Sequence, residues 1–215
     1  MRVCGNPDSG LLVIQAMDAR ELARLDEEAA ALQSMGCALP LWAAFAAEDW
    51  NDALSPWPAP PVFGGHGFAG RAEETLAYIQ NALIPELFAA YQLAAQTKIA
   101  LCGYSLAGLF ALWAGSQSER FNAVAGVSPS VWFPGYGDYE QAHPIRAEHV
   151  YLSLGDREEQ TKNRAMAAVG NEIRALYARL SERKVDCALE WNAGNHFCEP
   201  ELRVAKGVKW MMDSL

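Results

Sequence analysis

The chain contains 215 residues, 51% of them hydrophobic, and carries a formal net charge of −9 at pH 7. That length supports one domain with a full core and is short for two, so we expect residues 1–215 to form a single domain. The negative charge argues against nucleic acid and against a membrane surface as partners, because both are anionic and would repel the protein.

The N-terminal part of the chain predicts a strand, a helix and a second strand. Residues 11–14 are a short apolar run typical of a buried strand. Asp18 followed by Glu21 matches an N-cap and its capping-box partner, so we expect a helix to begin there and to end at Gly36. Residues 39–47 are again apolar, and a run this continuous suits a parallel strand that is covered on both faces.

Residues 48–70 predict a long ordered loop, because four prolines and four glycines interrupt the segment. Loops of this length inside compact domains are usually functional or disordered. The aromatic content favours an ordered loop beside a site, and a proline-stiffened surface connection is the alternative. The aromatic residues are Trp50, Trp57, Phe63 and Phe68. Residues 73–91 then predict a helix that Pro85 kinks or restarts.

A serine lies at the next junction between a strand and a helix. Residues 99–102 predict the strand, residues 106–115 predict the helix, and Ser105 stands between them. A sharp turn here needs small residues two places either side, and Gly103 and Ala107 are small. The turn would expose the Ser105 hydroxyl as a nucleophile and aim the N–H of the next residue, Leu106, at a developing oxyanion.

The loop after the following strand, residues 123–127, offers candidates for a ligand crevice. In an open parallel sheet, ligands bind outside the carboxyl ends of the strands. Trp132 and Phe133 come directly after such an end, so we expect them to line the crevice, with packing at the sheet edge as an equally weighted alternative.

The remaining chain predicts two more strands, residues 149–154 and 187–191, and a long helix between them. A closing helix begins at Pro200. The alternation of strands and helices indicates an α/β architecture with a parallel sheet and right-handed crossovers.

His196 is the candidate general base, because it is the histidine that lies in a loop directly after a late strand. The acid that orients it should follow a strand between the serine and the histidine. Asp156, Glu158 and Glu159 all occupy that turn, and each could do the chemistry. They could equally form a solvated helix N-terminus.

With these segments in hand, the sequence resembles the putative esterase branch of the α/β-hydrolases, typified by enterochelin esterases and esterase D-like enzymes. The similarity spans most of the chain from about residue 39 onward. Four segments carry it: Asp-Ala-Leu-Ser-Pro at 52–56, Leu-Ile-Pro-Glu-Leu at 83–87, Gly-Tyr-Ser-Leu-Ala-Gly from 103, and Ser-Pro-Ser-Val-Trp at 128–132.

The resemblance implies a three-layer α/β-hydrolase fold with a mostly parallel sheet flanked by helices and no separate lid domain. It implies Ser105 as nucleophile and His196 as base. The family usually places its acid three residues after the glycine that ends the strand, which falls on Glu158. Asp156 is the second choice, and some siderophore esterases of this group manage with a serine-histidine pair.

The sequence departs from the family at two places. Family members often carry an arginine in the loop before residue 52, where this chain has Trp50 and Asn51, which weakens the case for a catecholate siderophore. The N-terminus is short, with little room for the first antiparallel strands. We expect a second oxyanion donor near Met17 and Asp18.

The cysteines favour a reducing, cytoplasmic location, because they are odd in number and show no C-x-x-C spacing. They are Cys4, Cys37, Cys102, Cys187 and Cys198. The first ten residues lack the apolar segment of a signal peptide. No two histidines have ligand spacing, so we expect neither a metal nor an organic cofactor.

The function we predict is a serine esterase that cleaves a small-molecule carboxylic ester through an acyl-enzyme, with Trp50 and Trp132 binding the substrate. A thioesterase or an acyltransferase on the same residues is an alternative within the enzymes. A non-catalytic protein that binds a ligand through its tryptophan-rich loops is the alternative from another class. The oligomeric state is left open.

Overall fold

A central β-sheet forms the middle layer of the molecule. The structure is a computed structural model that describes residues 1–62 and 64–215. Phe63, one of the aromatic residues of the predicted loop, lies outside the described residues. Within them the strand order of the main sheet is β1-β3-β2-β6-β7-β8-β9, and every neighbouring pair is parallel except β1 with β3. The bounds are β1 Arg2–Cys4, β2 Leu11–Met17, β3 Leu41–Ala46, β6 Lys98–Tyr104, β7 Ala123–Val127, β8 His149–Gly155 and β9 Asp186–Asn192, with a separate pair, β4 Pro58–Ala59 and β5 Phe68–Ala69.

Helices cover both faces of this sheet. Their bounds are α1 Leu25–Ser34, α2 Trp50–Leu54, α3 Ala72–Tyr78, α4 Ile84–Ala90, α5 Leu106–Gln117, α6 Tyr136–Ala142, α7 Arg164–Ala167, α8 Val169–Glu182 and α9 Pro200–Ser214. Helices α1 and α9 pack on one face, and α3, α4, α5 and α8 pack on the other. Among the described residues, no helix is both long enough and apolar enough to span a bilayer.

Strand β2 shows why the strands of this sheet are apolar at every position of the sequence. Its alternate residues Leu12 and Ile14 join the core beneath α5, whereas Val13 and Met17 join the core beneath α1 and α9. Successive side chains of a strand point to opposite faces, so a strand with helices on both faces must be apolar at every position. The predicted α/β fold with a mostly parallel sheet is confirmed.

The N-terminal region differs from two expectations. The short N-terminus does form an antiparallel strand, β1, because three residues suffice to pair with Trp42 to Ala44 at the edge of the sheet. The Asp18 carboxylate does not cap a helix. It accepts hydrogen bonds from the backbone N–H and the guanidinium of Arg20 instead, at 2.9 and 3.0 Å. A 3₁₀ turn at Leu22–Arg24 follows, and the α-helix begins only at Leu25.

The predicted loop at residues 48–70 contains short regular elements: helix α2 and the two-stranded β4–β5 pair. Asp52 ties the segment together, since its carboxylate accepts the N–H of Ala69 at 2.9 Å. Further along, a π-helical turn at Ile79–Leu83 joins α3 to α4. Pro85 in the first turn of α4 has no N–H to donate, and the wider turn before it accommodates that loss.

Candidate active site

Ser105 occupies a strained turn between β6 and α5. Its backbone has φ 59° and ψ −120°, a conformation that non-glycine residues rarely adopt. Gly103 must be glycine because a Cβ there would lie 2.2 Å from the carbonyl oxygen of Ala107. The Ser105 N–H donates to Val127 at 3.0 Å, and its carbonyl accepts from Ser130 at 3.0 Å. The turn is therefore held from both sides, and the structure places it as the sequence predicts.

His196 connects Ser105 to Glu158. Its Nε2 atom lies 3.1 Å from the Ser105 Oγ, and its Nδ1 atom lies 2.7 Å from the Glu158 Oε2. A carboxylate can only accept, so Nδ1 carries the hydrogen and Nε2 is left to accept the serine proton. Tyr104 donates its hydroxyl hydrogen to the His196 carbonyl at 2.5 Å and fixes the loop.

Glu158 is buried, with 4% of its side chain exposed, and its second oxygen is fully engaged. Oε1 accepts hydrogen bonds from the Gly155 N–H, the Ser128 hydroxyl and the Arg203 guanidinium, at 2.7, 2.7 and 2.8 Å. Burial acts to raise the pKa of Glu158, but its hydrogen bonds and the charge of His196 outweigh burial and hold the pKa below its ordinary value. Glu158 is thus an ionised acceptor at neutral pH.

The two other acids of this turn have different partners. The Asp156 carboxylate accepts the N–H of Gly194 at 2.8 Å and so anchors the loop that carries His196. Glu159 points outward and forms a two-bond ion pair with Arg174, at 3.0 and 3.1 Å. Among the three candidates, Glu158 is the one in contact with His196.

Arg203 and Ser128 belong to this network, and the sequence analysis did not identify either. Arg203 lies on α9 with 1% of its side chain exposed, and it also donates to the carbonyls of Ala193 and Asn195, at 3.0 and 2.9 Å. One signal was available: Arg203 shares a helix face with the buried residues Gly207 and Met211, at four-residue spacing. A charge on a buried face needs a partner, and here that partner is Glu158.

We expect Arg203→Met to lose stability and activity, because it leaves the Glu158 carboxylate buried beside an uncharged side chain. The free energy of unfolding should fall by about 3–5 kcal/mol. A displaced Glu158 should lower kcat/KM by about a hundredfold. Without the neighbouring cation the pKa of Glu158 should rise, so activity should be lost at a higher pH on the acid side.

Three measurements check this role for Arg203 as a positioning residue: urea unfolding, ester hydrolysis, and the pH dependence of kcat/KM. Arg203→Lys should recover part of the activity because it restores the charge. Arg174→Met removes an exposed arginine paired with the adjacent Glu159 and should behave like the unmodified protein. An unchanged pH profile in Arg203→Met would contradict the role.

A cavity of about 620 Å³ opens beside Ser105 and His196, and its walls are mainly apolar; we call it the apolar cavity. Both tryptophans predicted to bind substrate, Trp50 and Trp132, lie in its wall, and their binding role stays a prediction. For Phe133 the structure shows packing, the second of the two alternatives, and not a place in the cavity wall. Its side chain is 2% exposed and packs against Trp57 and Phe68, because the tight turn at Ser130 directs it into the core.

A second cavity, of about 500 Å³, meets the first at Ser105 and His196. Five carboxylate side chains and one arginine line it, so we call it the acidic cavity. Those charged residues are Asp18, Glu21, Arg24, Glu28, Glu199 and Glu201. Met17, near which a second oxyanion donor is expected, lines this cavity together with Asp18 and Ser105. That donor stays a prediction.

Glu28 lies in the wall of the acidic cavity with only 4% of the residue exposed. Its Oε1 accepts from the Gln15 side chain at 3.1 Å, while its Oε2 has no hydrogen-bond partner among the described residues. Burial raises the pKa of Glu28 to about 8, with a further increase from Glu201 and a partial offset from Gln15. The carboxyl group is therefore largely protonated at neutral pH.

The raised pKa of Glu28 should make stability decrease with pH. Between about pH 4.5 and pH 8 the unfolded chain ionises this carboxyl while the folded chain keeps its proton. The folded state then binds more protons, so the free energy of unfolding should fall by up to about 1.4 kcal/mol per pH unit. Urea unfolding of the unmodified protein and of Glu28→Gln between pH 4 and pH 9 checks this. Equal pH dependence in the two proteins would contradict it.

Within residues 1–62 and 64–215, no group of three or more histidine, cysteine, aspartate or glutamate side chains is arranged to hold a metal ion. The site is built from the serine, the histidine and the carboxylate, together with the groups that hold them.

The family model described as "Putative esterase" matches residues 55–196. No curated protein matches the sequence.

Several solved structures share the fold. A siderophore hydrolase, EstA, from Aspergillus nidulans is 19% identical, with a TM-score of 0.71 over 96% of this chain and 84% of that one. An IroE-like serine hydrolase from Shewanella oneidensis is 15% identical, with a TM-score of 0.78 over 98% of this chain and 74% of that one. The enterobactin esterase FES from Shigella flexneri is 19% identical, with a TM-score of 0.68 over 99% of this chain and 55% of that one. At these identities the likeness establishes the fold.

Proposed function

The chain belongs to the "Putative esterase" family, and on that basis we propose that it is a serine esterase that cleaves a carboxylic ester through an acyl-enzyme on Ser105. One observation carries the proposal. The His196 ring lies between the Ser105 hydroxyl, at 3.1 Å, and the Glu158 carboxylate, at 2.7 Å. This arrangement can remove the serine proton and stabilise the imidazolium that results.

Acylation would begin when the Ser105 Oγ attacks the ester carbonyl carbon. The serine proton moves to His196 Nε2, and the negative charge of Glu158 stabilises the imidazolium without taking the proton. The carbonyl oxygen becomes an oxyanion. The His196 proton then passes to the alkoxide leaving group, which departs as an alcohol, and the acyl group remains on Ser105.

The N–H of Leu106 supports the oxyanion. Leu106 is the first residue of α5, so its N–H has no acceptor within the helix, and the positive end of the helix dipole adds to its effect. In a turn of this kind, this N–H and the serine hydroxyl would point at the same region. A donor of this kind needs no rearrangement as charge develops.

Deacylation would use the same groups with water. His196, neutral again, takes a proton from a water molecule while the water oxygen attacks the acyl carbon. The tetrahedral intermediate then collapses. The proton held by His196 passes to the Ser105 Oγ, and a carboxylic acid leaves.

The substrate would be a small-molecule ester with an apolar or aromatic group. Trp50, Trp132 and Phe197 line the apolar cavity, and aromatic walls of this kind favour a flat or apolar group. The names of the compared siderophore hydrolase and enterobactin esterase make siderophore esters natural candidates. Arg157, also in the wall of that cavity, could meet an anionic group of such a compound.

Hydrolysis of 4-nitrophenyl butyrate, with a rapid burst of nitrophenol before the steady state, would test the acyl-enzyme. The rate with the matching butyryl thioester distinguishes an esterase from a thioesterase. Transfer of the butyryl group to added methanol would identify an acyltransferase. Hydrolysis of the oxygen ester without preference for the thioester supports the proposal. No turnover of any acyl substrate by the folded protein would refute it.

A further inference from the structure

Phe197 holds a large apolar ring in solvent beside the candidate general base. The residue is 85% exposed, and no large hydrophobic residue among those described is more exposed. Its ring centroid lies 5.4 Å from that of the His196 imidazole, and the two ring planes meet at 86°, an edge-to-face arrangement. Single exposed apolar residues are ordinary on protein surfaces. Phe197 differs from such residues because its ring packs against a reacting group.

The backbone that carries Phe197 is held in place. The Phe197 N–H donates to the side-chain oxygen of Asn195 at 2.9 Å, and the Cys198 N–H donates to the Asn195 carbonyl at 3.1 Å. The same carbonyl accepts a hydrogen bond from the buried guanidinium of Arg203 at 2.9 Å. An ordered turn therefore presents the ring to solvent. A ligand that covers the ring has only this side chain to immobilise, and not the loop.

Phe197 also lies where the apolar and the acidic cavity meet. Four residues belong to the walls of both cavities: Trp50, Ser105, His196 and Phe197. An ester attacked by the Ser105 Oγ would have its carbonyl carbon at this junction. The groups attached to that ester would therefore begin close to the Phe197 ring.

The order of bond changes in acylation indicates which arm of the ester would cover this ring. The bond between the carbonyl carbon and the alcohol oxygen breaks as His196 Nε2 gives its proton to that oxygen. The departing oxygen must therefore come within hydrogen-bond distance of Nε2, about 3 Å. The acyl group stays on Ser105 instead. Because the Phe197 ring packs against the imidazole, the group attached to the departing oxygen is the one placed to cover it.

We propose that Phe197 is a specificity-determining residue that packs against the alcohol arm of the substrate. The substrate class is then an ester whose alcohol carries an aromatic or a bulky apolar group. This role rests on the proposed esterase function. An alcohol arm of that kind removes the exposed ring from water, whereas a methyl ester leaves the ring solvated. The difference should appear in kcat/KM, which is the quantity that measures discrimination between substrates.

Three esters test this contact and show which arm it serves. Benzyl butyrate and methyl butyrate differ only in the alcohol, and methyl 4-phenylbutyrate carries its phenyl ring on the acyl side. Phe197→Ala should lower the ratio of kcat/KM for benzyl butyrate to that for methyl butyrate by about tenfold, as expected for lost burial of an aromatic ring. The ratio for methyl 4-phenylbutyrate to methyl butyrate should change by less than about twofold. Each ratio is taken within one protein, so a general effect on His196 cancels.

Two further variants make the test specific to the Phe197 ring. Phe197→Leu keeps an apolar side chain of similar reach and should recover part of the preference for benzyl butyrate. Tyr91→Ala is the matched control, because it removes an aromatic side chain that is 37% exposed and lies outside both cavities. Both ratios should stay within about twofold of the unmodified values in Tyr91→Ala. Circular dichroism checks that every variant is folded.

The outcomes separate this role of Phe197 from the esterase function itself. An unchanged ratio of benzyl to methyl butyrate in Phe197→Ala overturns the role, while hydrolysis of the three esters still supports the esterase. A ratio for methyl 4-phenylbutyrate that falls as much as the ratio for benzyl butyrate also overturns it, because the ring would then contact the acyl arm. Hydrolysis of none of the esters by the folded, unmodified protein overturns the esterase and the role of Phe197 with it.

Discussion

Ser105→Ala is expected to lower kcat for ester hydrolysis by about 10⁴-fold or more, because it removes the atom that forms the acyl-enzyme. The hydroxyl lies 3.1 Å from His196 Nε2, and among the described residues no other hydroxyl hydrogen-bonds to that nitrogen. Folding should be intact, since the change deletes one oxygen atom from a half-buried side chain. Steady-state hydrolysis of 4-nitrophenyl butyrate, with circular dichroism as the folding check, measures the effect.

Ser116→Ala provides the matched control. Ser116 lies on α5, is buried, and donates its hydroxyl hydrogen to the carbonyl of Trp113 at 2.7 Å, away from both cavities. Its kcat should stay within about twofold of the unmodified value, as expected for a small local change. Ser105→Ala with activity close to that control would mean that another residue attacks the ester.

Glu158→Gln is expected to lower kcat by about 10³- to 10⁴-fold, because an amide neither holds the same histidine tautomer nor stabilises an imidazolium. It also leaves the Arg203 guanidinium facing a neutral group in a buried site. The KM should change little, since the Glu158 carboxylate hydrogen-bonds to His196 and to other protein groups and not to the substrate. Initial rates over a range of ester concentrations separate kcat from KM.

The neighbouring acids supply the controls for Glu158→Gln. Glu159→Gln breaks an exposed ion pair with Arg174 and should keep kcat within about twofold, as exposed pairs contribute little. Asp156→Asn loosens the bond to Gly194 and should have an intermediate effect. Full activity in Glu158→Gln would show that a serine-histidine pair suffices.

The serine turn could be predicted because its chemistry is local. A sharp strand-to-helix turn requires small residues at fixed offsets, and Gly103 and Ala107 meet that requirement within the sequence itself. The parallel sheet was also predictable, because strands covered on both faces must be apolar throughout, as β2 is. The candidate nucleophile and the fold thus follow from short-range patterns.

The acid could not be chosen from the residues, because three carboxylates fall within one turn after β8. Backbone geometry directs Glu158 inward to His196, whereas Glu159 points out to Arg174. The family resemblance favoured Glu158, and the structure places that residue against the histidine. The residues that hold Glu158 in place could not be predicted, since Arg203 lies 45 residues away from it in the sequence.

The N-terminal region also differs from its sequence pattern. Strand β1 forms through pairing with β3, some 40 residues away, and three residues carry too weak a pattern to predict it. Asp18 and Glu21 matched a capping box, but the local bonds of Asp18 to Arg20 competed with the cap. A pairing distant in sequence decided the first case, and a competing local bond decided the second.

Labelling with a fluorophosphonate, followed by intact mass measurement and peptide mapping, shows whether Ser105 is an activated nucleophile. The reagent attaches to an activated serine whatever the natural substrate is. We expect one adduct on the peptide containing Ser105, no adduct in Ser105→Ala, and much slower labelling in His196→Ala. A folded protein that takes up no label, or takes it up on another residue, would mean that Ser105 is not the nucleophile.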